Sequence, residues 1–320
     1  MDWAIGVDIG GTKCNIGAVD LQGNILSKKK IATNPERDPD LIIKEISVVI
    51  KEIIAKIDSA PLGIGVGMAG QIDEETGMVL FAPNLKWHNI PLKEKLASIL
   101  GLPVVVANDV RAISYGEWFL GAGQGCNNFV CMFIGTGIGS GIVINGAMLS
   151  GSNNVAGEVG HMIVEMNGPA CTCGNWGCME AYAGGWGIAR QAEKDLLIKP
   201  EDGQILQKII DENDGEITAK LVIDAYRKDD PIAIKVIQNA IQAVIAGSVS
   251  IVNALNPERL IFGGGIIDGL PEIIQEVNLG VRQRALPAAS EHLHIVMAKL
   301  DKDAGLIGSA IFAQQTFKKL

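Results

Sequence analysis

Apolar positions follow two rhythms along this chain, and each predicts a different element. "WAIGVDIG" (3–10) and "CNIGAVD" (14–20) are short apolar runs joined by a Gly-Gly turn. A second turn at Asp20-Leu21-Gln22-Gly23 leads into "NILSKKKIA" (24–32), so the opening reads as a meander of strands. "PDLIIKEISVVIKEIIAKI" (39–57) then repeats its apolar residues at helical spacing. "LGIGVGMAG" (62–70) and "LPVVVAND" (102–109) are continuous apolar runs that end in glycine or polar residues. With helices between them, they predict buried parallel strands. From Glu180 to Leu255 the pattern is mostly helical. It returns to a strand in "RLIFGGGI" (259–266) and finishes in "AGLIGSAIFAQQTF" (304–317), expected as an amphipathic helix.

A weak internal echo links "VDIGGTKCNIGAV" (7–19) with "FIGTGIGSGIVI" (133–144). Each is an apolar strand, a Gly/Thr turn and a second apolar strand. Two similar halves would set two glycine-rich turns facing one another across a cleft; two unrelated hairpins would leave the same trace.

Length and charge narrow the class. A chain of 320 residues is long for one core and predicts two domains. The net charge of -9 argues against a general binder of nucleic acid or anionic membrane, but leaves room for an anion held by backbone amides. The N-terminal segment lacks the basic-then-apolar order of a signal peptide. The longest uncharged stretch (236–257) is interrupted by Gln, Asn and Ser, as a buried helix would be and a membrane span would not. The expectation is a soluble cytoplasmic protein with reduced cysteines.

Three glycine turns carry the first candidate chemistry. Gly10, Gly11 and Thr12 directly follow a strand, where backbone amides can point at phosphate oxygens that only glycine lets approach closely. Lys13 adds a positive charge, and Asp8 could hold Mg²⁺ through water. "GTGIGSG" (135–141) and "FGGGI" (262–266) offer two further sets of amides. Neither the P-loop spacing nor a convincing dinucleotide fingerprint occurs. Singly, each turn reads as a tight hairpin; three of them, each capping a strand, point to a nucleotide. Asp109, after "PVVVAN", reads on local sequence as a helix N-cap. It also lies at the carboxyl end of a strand, where ligands of α/β sheets collect and where a carboxylate could accept a hydroxyl proton.

His161, Cys171, Cys173 and Cys178 follow the pattern His-x9-Cys-x-Cys-x4-Cys. One nitrogen and three sulfurs complete a tetrahedral zinc shell, and a shell without an open position is structural. A buried redox cluster is the rival reading. Cys14, Cys126 and Cys131 lie in apolar strands as small buried side chains. With one ring nitrogen of His161 on zinc, the other must donate its proton, and a sugar hydroxyl can accept it. Glu158 and Glu180 flank this segment and could accept from vicinal hydroxyls, although the usual fate of Glu is solvent exposure.

These residues together resemble the ROK family (repressor, open reading frame, kinase), and within it the glucokinase-like sugar kinases. The matching segments are "DIGGTKCNIGAVD", "GMAGQID", "APNLKWHNIPL", "VVVANDVRA", "IGTGIGSGI", "AGEVGHM", "CTCGNWGCMEAYAGG", "LNPERLIFGGGI" and "DAGLIGSA", in the family's order. The resemblance implies an α/β, duplicated ribonuclease-H-like (actin-like ATPase) fold of two domains with a cleft between them. The smaller domain is expected at 1–118 plus 304–320, and the larger, with the zinc loop, at 119–303. It implies that Asp109 is the catalytic base and that Asn108, Glu158, His161 and Glu180 bind the sugar, with Gly70 and Asn84 at weaker positions. It implies that Asp8, Gly10, Gly11, Thr12 and Lys13, with Gly135, Thr136, Gly137 and Gly139, hold the phosphates of ATP, and that Gly264 and Gly265 lie near the adenosine. Structural Zn²⁺, Mg²⁺ and a homo-oligomer, dimer or tetramer, are expected with it; nucleic acid and membrane are not. Glu158 in "GEVGH" looks more like the glucokinases than the mannosamine-type kinases, while Ala69 and Trp176 depart from the family pattern near the sugar. The expected reaction is ATP-dependent phosphorylation of glucose to glucose 6-phosphate. An N-acetylhexosamine, fructose or other sugar is the alternative substrate. A sugar-responsive regulator without catalysis is the remaining alternative, disfavoured because the phosphate strand starts at Trp3 and leaves no room for a helix-turn-helix domain.

Overall fold

The opening meander forms as expected in the computed structural model, which describes residues 1–213 and 215–318. β1 (Trp3–Ile9), β2 (Lys13–Asp20) and β3 (Ile25–Ala32) run antiparallel. β4 (Ile64–Met68) follows the helix Pro39–Ile54, and three short strands come next: β5 (Gln71–Asp73), β6 (Met78–Ala82) and β7 (Trp87–Ile90). β8 (Val104–Asn108) closes a five-stranded sheet of order β3-β2-β1-β4-β8, in which β1, β4 and β8 are parallel. The central strands are buried, whereas β3 alternates and carries Lys28, Lys29 and Lys30, a charged edge that resists further pairing. The helix Pro39–Ile54 starts where Asp38 accepts from Asp40 N, and it buries Ile42, Ile46, Ile50 and Ile53 against the strand residues Val7, Ile9 and Ile64.

Two features of this part depart from the sequence pattern. The small sheet β5-β6-β7 had no counterpart there: β5 and β7, of three and four residues, are too short to show a period, while β6 is an apolar run as long as β4 that the pattern reading passed over. The C-terminal helix, Ala304–Phe317, is not amphipathic: Leu306, Gly308, Ser309, Ala310, Ile311, Ala313 and even Gln314 are buried. It packs against β1 and β4 and against the helix Asp109–Phe119. Gln314 satisfies its amide by donating to the carbonyls of Val19 (3.0 Å) and Asp20 (3.1 Å).

Five later strands form a second sheet: β9 (Phe129–Ile134), β10 (Ile138–Ile144), β11 (Ala147–Met148), β12 (Arg259–Gly263) and β13 (His294–Met297). Its order is β11-β10-β9-β12-β13, again an antiparallel meander followed by parallel strands. Order and direction repeat those of the first sheet strand for strand. The echo at 7–19 and 133–144 is therefore a repeated ribonuclease-H-like unit, the duplicated α/β architecture of actin-like ATPases. Between β11 and β12 the chain is mainly helical, as its spacing predicted. The longest helix, Pro231–Leu255, is long and apolar enough to cross a membrane by length and composition, yet most of it is buried inside the protein. Its N-cap Asp230 is itself buried and accepts from Ala233 N (3.0 Å) and Leu206 N (2.9 Å).

Contacts divide the chain into one unit of Met1–Cys126, Leu149–Ala156 and the segment from Ala298 onward, and another of Asn127–Met148 and Gly157–Met297. The joins thus fall after 126, 148, 156 and 297, where the sequence suggested two, after 118 and 303. Buried Glu117 holds the extra residues in the first unit, accepting from Ala122 N (2.6 Å) and Leu300 N (2.7 Å). Arg111 holds 149–156 there by donating to Leu149 O (3.0 Å) and Ser150 Oγ (2.9 Å).

Candidate active site

The first glycine turn is braced from behind. Gly10 N donates to Lys13 O (2.9 Å), Thr33 N to Thr12 O (3.1 Å), and Thr33 Oγ1 to Gly10 O (2.6 Å). With the carbonyls so engaged, the amides of Gly11 and Thr12 have no acceptor among the described residues. Lys13 is exposed at the head of β2. Asn84, in the turn between β6 and β7, backs onto this site: a Cβ at Gly11 would lie 3.1 Å from Asn84 Cβ. Asp8 accepts from Asn15 Nδ2 (3.0 Å). Burial raises its pKa, opposed by that bond and by Lys13 and Lys28.

β8 brings Asn108 and Asp109 to the carboxyl edge of the same sheet. The cap is Asn108 and not Asp109, correcting the local reading: Asn108 Oδ1 accepts from Val110 N (2.9 Å) and Arg111 N (3.4 Å), and Nδ2 donates to Gly70 O (3.2 Å). Asp109 is left as the first helical residue, partly buried, with Oδ1 accepting from Val110 N (2.9 Å). Burial pushes its pKa up to about 6; the Val110 amide pulls it down and the negative charge of Asp8 pushes it further up. Such a carboxylate is ionised at neutral pH yet a better proton acceptor than an exposed one. Nothing in the sequence pattern marked the neighbouring ion pair of Arg111 with Glu74 (2.6 Å), which ties β5 to the helix that begins at Asp109.

In the second unit the turn is again three residues, Gly135-Thr136-Gly137, and Gly139, expected with it, already lies in β10 opposite Phe133. Gly135 N donates to Gly137 O (2.9 Å), while Gly185 N and Trp186 N donate to the carbonyls of Gly135 (2.8 Å) and Thr136 (3.2 Å). The amides of Thr136 and Gly137 have no acceptor among the described residues. Gly264 has φ 96°, and a Cβ there would lie 2.5 Å from Ile134 O, so the third glycine turn presses directly on β9. Gly135, Thr136 and Gly265 share a cavity of about 770 Å³ with Trp186, Ile217 and Arg227. That volume suits a drug-sized or nucleoside ligand, whose pockets run roughly 300–1,000 Å³. The last three lining residues were missed by sequence reasoning, since they come from helices and loops without a motif.

Glu180 departs from the usual solvent exposure of glutamates. It is buried, and its carboxylate accepts from Ile138 N (2.7 Å) through Oε2 and from Trp186 Nε1 (3.1 Å) through Oε1. Glu158, by contrast, is exposed, at the start of the short turn Val159–His161.

The cysteine cluster assembles as its spacing suggested. The ligand atoms of His161, Cys171, Cys173 and Cys178 all lie within 4.8 Å of one another. His161 Nδ1 is 3.7 Å from Cys171 Sγ, and Cys173 Sγ is 3.7 Å from Cys178 Sγ. Tetrahedral ligands at a Zn–S distance of about 2.3 Å stand about 3.8 Å apart, so the group fits that cation. The loop braces itself, with Cys171 N on Asn175 O (2.8 Å) and Gly177 N on Pro169 O (2.8 Å). Burial pushes the Cys178 thiol up to about 12, so a bound cation would have to displace its proton. Cys14, Cys126 and Cys131 are buried, as expected of small side chains in apolar strands.

Residues 4–316 match the family described as ROK. The glucokinase of Halalkalibacterium halodurans is 34% identical, over 98% of this chain and 95% of that one. A ROK family glucokinase from Streptomyces griseus, solved in complex with glucose and AMPPNP, is 35% identical with a TM-score of 0.78, covering 98% of this chain and 99% of that one. The xylose repressor of Bacillus spizizenii is 29% identical over 98% of this chain but 78% of its own length.

Proposed function

The chain belongs to the ROK family, and on that premise we propose that it is an ATP-dependent hexose kinase that converts glucose to glucose 6-phosphate. Asp109 carries the reading: a carboxylate at a strand's carboxyl end, released from capping by Asn108 and raised toward neutrality, is suited to accept the proton of a sugar hydroxyl. Phosphoryl transfer has a loose transition state, so positioning and charge stabilisation do most of the work. The amides of Gly11, Thr12, Thr136 and Gly137, with Lys13, receive the phosphates of ATP. The nucleoside occupies the cavity beside Gly264 and Gly265. Asp8 would hold Mg²⁺, which would supply charge neutralisation at the phosphates. Asn108, Glu158, His161 and Glu180 take the sugar hydroxyls, with Gly70 and Asn84 beside them.

His161, Cys171, Cys173 and Cys178 would hold a structural Zn²⁺, which stiffens the loop and fixes the tautomer of His161. The enzyme acts in the cytoplasm as a homo-oligomer. A coupled ADP-release assay over a hexose panel with ATP and Mg²⁺ tests the reaction, and glucose is expected to give the highest kcat/KM. A preference for an N-acetylhexosamine or for fructose would move the substrate within the family. Likeness to a xylose repressor favours sugar-responsive regulation as the second reading. Sugar binding with no turnover of any hexose would establish it.

A further inference from the structure

Glu180 joins two parts of the second unit that the sequence keeps 42 residues apart. Each carboxylate oxygen has two lone pairs, and the protein uses one on each: Oε2 for Ile138 N and Oε1 for Trp186 Nε1. The first bond fixes the point at which the Gly135–Gly137 turn enters β10. The second fixes the carboxylate itself. Trp186 packs against Cys171, Cys178 and Ala181 and also lines the cavity beside the turn. Gly137 completes the contact, since a Cβ there would lie 2.6 Å from Glu180 Oε2. The remaining lone pairs of Glu180 stay available to a sugar hydroxyl.

From this geometry we infer that Glu180 serves the sugar and the nucleotide turn at once, with Trp186 as its positioning residue, so that binding of either ligand strengthens binding of the other. The inference rests on the kinase reading. A sugar hydroxyl adds a third hydrogen bond to a carboxylate already held by Ile138 and Trp186, and so narrows its remaining motion. A restricted carboxylate holds Ile138 N, and the Thr136 and Gly137 amides then keep one orientation. The ordering is supplied once, by whichever ligand arrives first.

AMPPNP affinity with and without saturating glucose measures the coupling, and amide exchange of the 135–139 segment reports the ordering. In the wild type, glucose is expected to tighten AMPPNP binding by about fivefold or more, within the usual range for coupled sites, and to slow that exchange. Trp186→Phe keeps an aromatic ring but removes the indole N–H. It should retain bound metal, raise KM for ATP, and bring the coupling within about twofold of unity. Glu180→Gln, which keeps the volume but turns an amide NH₂ toward a donor, should abolish coupling without needing the tryptophan change. A wild type that phosphorylates a hexose without coupling, or a Trp186→Phe enzyme that keeps the coupling, overturns the inference and leaves the reaction standing. A wild type that turns over no hexose overturns both.

Discussion

The two sheets share strand order and direction, yet their glycine turns are secured by different chemistry. The first turn draws on its own meander: Asp8 and Lys13 stand on β1 and β2, and Thr33, just beyond β3, holds the carbonyls of Gly10 and Thr12. The second has no charge on its own strands beside the turn. It borrows a carboxylate, Glu180, and two amides, Gly185 and Trp186, from the helical segment after the cysteine loop. The parallel strands differ as well. β8 ends in Asn108 and is followed at once by Asp109, whereas its counterpart β13 ends in Met297 and is followed by Ala298, with no acid. Duplication of a sheet fixes where turns and strand ends lie, and the connections between strands decide what each one can do. Two copies can therefore diverge in chemistry while the backbone pattern persists.

The sharpest break in the comparison is at the acid that only the first sheet possesses. Asp109→Asn should lower kcat by ~10²–10⁴-fold, with glucose affinity by calorimetry almost unchanged, because the amide cannot accept a proton. Near-normal turnover would show that the difference between β8 and β13 is not catalytic.

Next is the borrowed chemistry of the second unit. Cys173 is the exposed thiol of the cluster, so Cys173→Ser should leave the fold intact by circular dichroism. Metal content should fall and glucose affinity should drop by ~10–100-fold, the usual cost of disturbing the support of a binding group. Full zinc occupancy would remove Cys173 from the ligand set, while metal loss with unaltered glucose affinity would uncouple the loop from the sugar.

The two turns can then be set side by side. Gly11→Val crowds Asn84, and Gly137→Ala crowds Glu180 Oε2. Both should raise KM for ATP by about tenfold, equivalent to ~1.4 kcal/mol. Gly137→Ala should weaken glucose binding more than Gly11→Val does, since the proposed sugar carboxylate Glu180 is crowded directly at Gly137, whereas Gly11 reaches the proposed sugar site only through the less central Asn84. Equal effects on glucose would erase the distinction drawn here.

The mildest test varies pH. Asp109 is raised to about 6, and the base must be ionised. kcat/KM should therefore be fully present well above pH 6, halved near it, and lost progressively as the pH falls further. A profile flat down to pH 4.5 would mean that another group accepts the proton.

Elements with strong local signals were legible before any tertiary information. The meander of β1–β3, the helix Pro39–Ile54 and the buried strands β4, β8 and β12 follow from apolar period and turn residues over short windows. The histidine–cysteine cluster was legible for the same reason: its four side chains come from one short segment, and their spacing is itself the geometry. β5, β7, β11 and β13 were not, being too short to show a period. Asn108 could be recognised as the cap only once its side chain was seen on Val110 and Arg111, because Asn and Asp are about equally good caps.

By itself, then, the sequence determined the repeated strand-turn-strand pattern, the glycine turns and the closed set of one histidine and three cysteines, all of which depend on neighbours in the chain. Tertiary structure alone decided that the C-terminal helix is buried on most of its faces and that the cavity near Gly265 is walled by Trp186, Ile217 and Arg227. It alone decided that Glu180 faces the Ile138 amide and not solvent. Burial and hydrogen-bond partnership are properties of residues far apart in sequence, and no local period encodes which distant backbone amide a carboxylate will meet.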